Sequence, residues 1–357
     1  HQRLPCGAVT RRAARSVARA LLAAVLLAGP SSATLAAPGE APQHGTLVWP
    51  QASAPRPGVP NLNGATDSVP DVVGRIGAPT GLVIFTEGNH FPALLSPDIL
   101  GAFPAWAKRD PRFAGLALDN IVVVSLPQPM IVGSIAHGAL TLGNMTLAVS
   151  RRSGLFPDVL MGGLAPLREL AKIHVARDEA QLFARNRGMA LLIRRDDANA
   201  VLSLAGLERP GLRLVLASPA EPGARGLYLR ALAGLLGTDG ARLVIANEVA
   251  DFPGRLGIQH RDVPDALVAG YADAGLIFRH LALYYSRTFP QFFATVEVPG
   301  AEQYASTIAI AKVRNPLHAK AQAAFLEFFL ARAREVYPRY GFAAMDREDY
   351  GKHEPLR

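Results

Sequence analysis

The chain has 357 residues, half of them apolar and 18% charged, with 33 glycines and 28 prolines. That is about twice the ~150 residues of a typical domain, so two domains with sizeable cores are expected, and the composition excludes a disordered or fibrous chain. The formal charge of +8 sits largely in residues 1–37, which hold Arg3, Arg11, Arg12, Arg15 and Arg19 and no acid; without them 32 basic residues face 29 acidic ones. Such a near-balanced remainder, with no Lys/Arg run, argues against a nucleic-acid partner.

Arg11 to Arg19 form a basic start, residues 20–28 a short apolar run, and Gly29-Pro30 breaks it before the small residues Ala33-Thr-Leu-Ala-Ala37. This is the order of a secretory signal peptide, with cleavage expected near Ala36 or Ala37 and an apolar core too short to span a bilayer. The single cysteine, Cys6, would be removed with it. A mature chain without thiols has no disulfide, thiolate metal ligand or cysteine nucleophile.

Residues 38–80 are rich in Pro, Gly, Ala and Asn and read as an extended arm in which only Thr46-Leu-Val-Trp49 is strand-like. Gly81-Leu-Val-Ile-Phe85 is the first clear strand, leading into the polar turn Thr86-Glu-Gly-Asn-His90 and a helix expected over 92–108. Asn120-Ile-Val-Val-Val124 repeats the pattern, ending in Ser125-Leu-Pro-Gln-Pro129 before a helix over 130–137. Uninterrupted apolar strands suggest a sheet covered on both faces.

Strands are expected over 142–149 and 157–161, and helices over 164–172 and 177–187. Further strands fall at 188–193, 212–217, 242–245, 274–278 and 304–313, with helices over 226–236, 263–270 and 316–337. Alternating strands and helices imply an α/β architecture, with a second unit starting near residue 195.

Several strands end in small or polar residues, at Thr86 to Asn89, Ser125 to Pro129 and Ser218 to Arg225. In open α/β sheets ligands lie beyond the carboxyl ends of strands, where helix N-termini offer unpaired N–H groups, so three such turns could converge on one small anion. Ordinary turn chemistry is the better account of any one of them taken alone. The P-loop and dinucleotide fingerprints are missing. His260, His280 and Asp273 lack metal-ligand spacing, so no metal site is expected; Tyr284-Tyr285 reads either as a phenolate iron site or as an aromatic packing face. Ser153 and Ser218 lie in no nucleophile elbow and have no assignable base, so no enzyme is expected.

Four stretches together resemble the molybdate- and tungstate-type periplasmic substrate-binding proteins of ABC importers. They are Phe183 to Ile193 with Ser203 to Ala217, Ser218-Pro-Ala-Glu-Pro-Gly-Ala-Arg-Gly-Leu-Tyr228, Asp262 to Phe278, and Tyr304 to Lys312 through Tyr340-Gly-Phe342. About half the chain carries the likeness; its amino-terminal part matches in outline, with Val83-Ile-Phe-Thr86 and Val122-Val-Val-Ser125 standing at the first two ligand loops.

The resemblance implies an α/β type II periplasmic-binding-protein fold, with two Rossmann-like lobes joined by a two-strand hinge. Lobe 1 would comprise residues 81–193 and 305–357, and lobe 2 residues 194–304. It also implies a monomeric periplasmic protein that captures a small oxyanion, hands it to an inner-membrane ABC permease and needs no cofactor. Ligand contacts would come from Thr86, Glu87, Gly88, Asn89, Ser125, Gln128, Ala224, Arg225, Val263 and Phe278.

Three departures stand out: Phe278 replaces a tyrosine hydroxyl, Pro127-Gln128-Pro129 replaces a serine-rich loop, and Glu87 brings a carboxylate. Arg225, Arg279, His260 and His280 are the expected compensating donors. The alternatives are the same fold for ferric iron or a small organic acid, or an extracytoplasmic sensor or accessory protein.

Overall fold

The structure, a computed structural model, describes residues 72–142, 145–196, 201–219, 221–252 and 262–357. The signal segment, Cys6, residues 46–49 and His260 lie outside them. In chain order the strands of the first half are β1 (Val72–Val73), β2 (Leu82–Thr86), β3 (Ile121–Ser125), β4 (Ala139–Leu142), β5 (Met145–Ala148), β6 (Val159–Gly162) and β7 (Ala176–Arg185). They are followed by β8 (Met189–Arg194), β9 (Leu214–Val215), β10 (Ala274–Phe278), β11 (Phe293–Glu297), β12 (Thr307–Val313) and β13 (His353–Pro355).

Two main sheets divide these strands. The first has the order β1-β3-β2-β6-β12-β7-β13 and the second β11-β8-β10-β9, while β4 and β5 form a separate hairpin. β2 pairs in parallel with both β3 and β6, and β12 inserts antiparallel between β6 and β7.

Alternate residues of β2 feed different cores. Leu82 and Ile84 join Phe325 and Phe329 of the Ala319–Val336 helix on one face. Val83 and Phe85 join Ile131, Leu167 and Leu170 of the Gln128–His137 and Leu164–Lys172 helices on the other. Burial on both faces is why this strand reads as an unbroken apolar run.

Four expected elements differ. The helix expected over 92–108 is two short ones, Phe91–Leu94 and Phe103–Arg109. Pro97 and Gly101 lie in the break, where proline disfavours a helical residue before it. Residues 177–187 belong not to a helix but to β7, the longest strand, which gains ladders from β12 on one side and β13 on the other. Tertiary pairing overrides the helix preference of its Ala, Glu and Gln residues.

Residues 242–245, expected as a strand, lie in the second half of the Pro222–Ala246 helix, past a break at Gly237 (φ 73°, ψ 172°). The strand expected over 142–149 is shorter and pairs only in the β4–β5 hairpin. β8, placed by sequence at the end of the first lobe, pairs with β10 and β11 in the second sheet.

The chain passes between the sheets at residues 186–188 and returns at 298–306. Here Asn186, 3% exposed, clasps both crossings. Its Oδ1 accepts the Gly188 and Ser306 N–H groups at 3.1 and 3.0 Å, and its Nδ2 donates to Ser306 Oγ at 2.6 Å. Gly188 has φ +71°, and a Cβ there would lie 1.9 Å from the Ala301 carbonyl oxygen, so only glycine fits. Asn186→Ala strands two amide donors and should cost about 2–3 kcal/mol in chemical denaturation, against about 1 kcal/mol for Ser306→Ala, which removes one partner. Equal costs would show that the clasp does not depend on Asn186.

Candidate functional site

The carboxyl ends of β2, β3 and β6 lie side by side, with Thr86 in register with both Ser125 and Met161. The Glu87 N–H donates to the Met161 carbonyl at 3.0 Å, and the Leu126 N–H to the Thr86 carbonyl at 3.0 Å, which ties the three ends together. Thr86, Glu87, Gly88, Asn89, Ser125 and Gln128, all singled out by sequence, are therefore neighbours at one edge of the sheet.

Gln128 opens the helix after β3, with Pro127 fixing its entry. Its Nε2 donates to Glu87 Oε2 at 3.1 Å, and Asn89 Nδ2 approaches the same oxygen at 3.5 Å. The Gln128 amide lies over Gly162-Gly163, where an added Cβ would stand 3.3 or 3.4 Å from it. A small pocket beside Glu87 is lined by Phe85, Gln128, Gly162 and Leu167. Both amides converge on Oε2, leaving Oε1 without a hydrogen bond. Glu87 retains some exposed surface, yet burial of its carboxyl pushes its pKa from 4.5 up to about 7, only partly opposed by the two amides.

Two buried histidines back this edge. His90 Nε2 lies 2.6 Å from Thr86 Oγ1, and its Nδ1 2.7 Å from the Tyr337 hydroxyl. Thr86 Oγ1 donates to the Glu87 carbonyl, so the donor sense that satisfies each group runs from Tyr337 through His90 and Thr86 to Glu87. His280, at the start of the Arg279–Thr288 helix after β10, donates from Nε2 to the Asn89 carbonyl at 2.7 Å, linking the second sheet's segment to the first. Its ring stacks between Phe278 and Phe342, with centroids 5.6 and 4.1 Å away. Burial lowers both imidazoles from 6.5 to about 3, and for His90 the neighbouring His280 adds to the effect.

The second sheet's expected contacts fare differently. Phe278 is a core residue, edge-on to Tyr228 at 5.3 Å. Val263 is fully buried, its Cγ1 occupying the space that a Gly275 side chain would need. Ala224 lies in the first turn of the Pro222–Ala246 helix, partly buried.

Arg225 does not face a ligand as a loose cation: its guanidinium makes two 2.7 Å bonds to Glu248 and one of 2.9 Å to the Ala217 carbonyl. Arg279 is likewise paired through two 2.7 Å bonds to Glu297. Asp273 pairs with Arg213. Tyr285 is fully buried and Tyr284 packs edge-on to Phe91, so both rings serve as an aromatic packing face.

Sequence reasoning passed over Tyr228, His90 and Tyr337. The Phe278 backbone hydrogen-bonds the Tyr228 phenol, which burial, Glu221 and Glu87 hold well above its usual pKa. The available signal was spacing: Tyr228 stands four residues after Ala224, on the same helical face. Among the described residues, no three His, Cys, Asp or Glu side chains group as metal ligands, and no helix is long and apolar enough to cross a membrane.

The profile of the family described as bacterial extracellular solute-binding protein matches residues 141–343, more than half of the chain. The chain belongs to that family. Comparison with curated protein sequences yields no match.

Among solved structures, the sulfate-binding protein SubI from Mycobacterium tuberculosis superposes with a TM-score of 0.54 at 16% identity, over 75% of this chain and 88% of SubI. The periplasmic molybdate-binding protein of Azotobacter vinelandii gives 0.50 at 15% identity, over 74% of this chain and 100% of that one. These likenesses show the type II periplasmic-binding-protein fold, with one lobe built on each main sheet.

Proposed function

We propose that this solute-binding protein captures a small oxyanion between its lobes in the periplasm and delivers it to an ABC-type importer. The observation that carries this reading is the run of polar groups Gln128–Glu87–Asn89–His280, which spans from one lobe to the other at the carboxyl ends of the first sheet's strands. Closure of two lobes on hinge strands would enclose a ligand there. On this reading the contacts come from Thr86 to Asn89, Ser125 and Gln128 on one side and from the segments at Ala224 and Phe278 on the other.

With Arg225 and Arg279 already paired to Glu248 and Glu297, neither guanidinium is a loose cation for the anion. The sulfate and molybdate ligands named for the two structural neighbours fit such a site by size and charge class.

Thermal unfolding with millimolar sulfate, molybdate, tungstate and phosphate tests the reading. An anion present at 100 times its Kd stabilises by about 2.7 kcal/mol, so at least one should raise the midpoint by roughly 5–10 °C. No shift with any of the four would refute the oxyanion assignment.

A further inference from the structure

The atoms left without partners at the lobe junction are mostly hydrogen-bond acceptors. Asn89 Oδ1 and His280 Nδ1 are enclosed and unpartnered. His280 donates from Nε2 to a carbonyl, so in the neutral ring its Nδ1 is an acceptor. Glu87 Oε1 takes neither of the amide donors, which both go to Oε2. At the end of β3 the Ser125 hydroxyl is likewise buried and unpartnered. A fully ionised tetrahedral oxyanion offers acceptors only and would meet an ionised Glu87 as a like charge at close range.

We infer that Glu87 makes capture proton-coupled: the bound oxyanion and Glu87 share one proton. The site therefore favours an anion of the phosphate class, which keeps a proton at neutral pH, over fully ionised sulfate or molybdate. This rests on the oxyanion reading above. Phosphate brings its own proton to an ionised Glu87, whereas sulfate binds only when Glu87 has taken one from solvent.

The groups around Glu87 permit this. Its pKa is set by burial and the Gln128 and Asn89 amides, with no cation contributing. The ionisable groups that feel its charge are the phenols of Tyr228 and Tyr337, held protonated by burial. Glu221 acts on the same Tyr228, and His90 and His280 stay neutral.

Calorimetric titration of the purified protein with sodium sulfate and with sodium phosphate, at pH 6 and pH 8.5 and in two buffers of different ionisation enthalpy, tests the proposal. For wild type, sulfate affinity should fall roughly tenfold per pH unit above 7, with about one proton taken up per sulfate at pH 8.5. Phosphate should bind at pH 8.5 without that uptake.

In Glu87→Gln, which keeps shape and hydrogen bonding, sulfate affinity should be independent of pH and without proton uptake, while phosphate loses its preference. Sulfate binding to wild type that is flat with pH, or a slope that persists in Glu87→Gln, would overturn the role of Glu87 and leave the oxyanion reading standing. Binding of neither anion at either pH would remove both.

Discussion

Replacing Asp158 by alanine should destabilise the protein by about 3–5 kcal/mol and lower its melting midpoint by roughly 10 °C. Asp158 is fully buried just before β6, and both of its carboxylate oxygens and its carbonyl accept hydrogen bonds. Oδ2 accepts the Val83 N–H and His318 Nδ1, both at 2.8 Å, and Oδ1 accepts the His318 N–H at 2.9 Å. Its carbonyl accepts Gln322 Nε2 at 2.6 Å and the Val313 N–H at 3.2 Å.

One side chain thus joins β2 to the start of the Ala319–Val336 helix, where a carboxylate also meets the positive end of the helix dipole. Alanine leaves the buried Val83 N–H and two partly buried His318 donors without their acceptor and opens a gap in a packed layer. Asp158→Asn keeps the volume but turns an N–H toward a donor, so it should fall between wild type and alanine. Chemical denaturation of the three proteins decides the matter, and a loss under about 1 kcal/mol for Asp158→Ala would mean that the latch is dispensable. The strand-end site hangs on β2, so the alanine variant should also bind its anion less tightly at temperatures near its melting point.

What could be read from the sequence follows the range of the interactions. β2, β3, β8 and β10 are buried throughout or nearly so, and their apolar runs announce them without reference to the rest of the chain. β7 does not announce itself in sequence, because its burial is mixed, with the consecutive residues Arg177, Asp178 and Glu179 exposed, and its partners lie more than 100 residues away in β12 and β13.

The first lobe's candidate residues were legible because they belong to two short turns after obvious strands. The second lobe's were not, because a cation looks available in sequence until its partner is placed. Arg225 finds Glu248 23 residues on, and Arg279 finds Glu297 18 residues on. His280 looked isolated for the same reason: its partner is the backbone of Asn89, 191 positions earlier. Glu87 was noticed as a carboxylate out of place, and its burial turns that oddity into a titration near neutrality.

That titration and the two histidines together make stability rise along an acid limb and level off from about pH 6.5, with the two kinds of group acting in opposite directions. His90 and His280 titrate at about 3 in the folded protein and at 6.5 when unfolded, so the unfolded chain binds more protons between these values. Their contribution is complete above pH 6.5 and is lost on acidification; at pH 5 each costs about 2 kcal/mol, from 1.36 kcal/mol per pH unit. Glu87 has the opposite sign: its folded pKa of about 7 exceeds the ordinary 4.5, so its contribution is complete below pH 4.5 and is lost as pH rises through 7. By pH 8 that loss amounts to about 3 kcal/mol.

Between pH 4.5 and 6.5 two histidines oppose one glutamate, and the histidines prevail. The stability read from urea unfolding of the wild type at pH 4, 5, 6.5 and 8 should therefore rise by about 3 kcal/mol up to pH 6.5 and change by less than about 1 kcal/mol from there to pH 8. Glu87→Gln should steepen the rise between pH 4.5 and 6.5 and extend it slightly above 6.5, since nothing then opposes the histidines. In NMR spectra the two imidazoles should show no protonation shift above pH 4; a midpoint near 6 for either ring would place it in water and remove the acid limb.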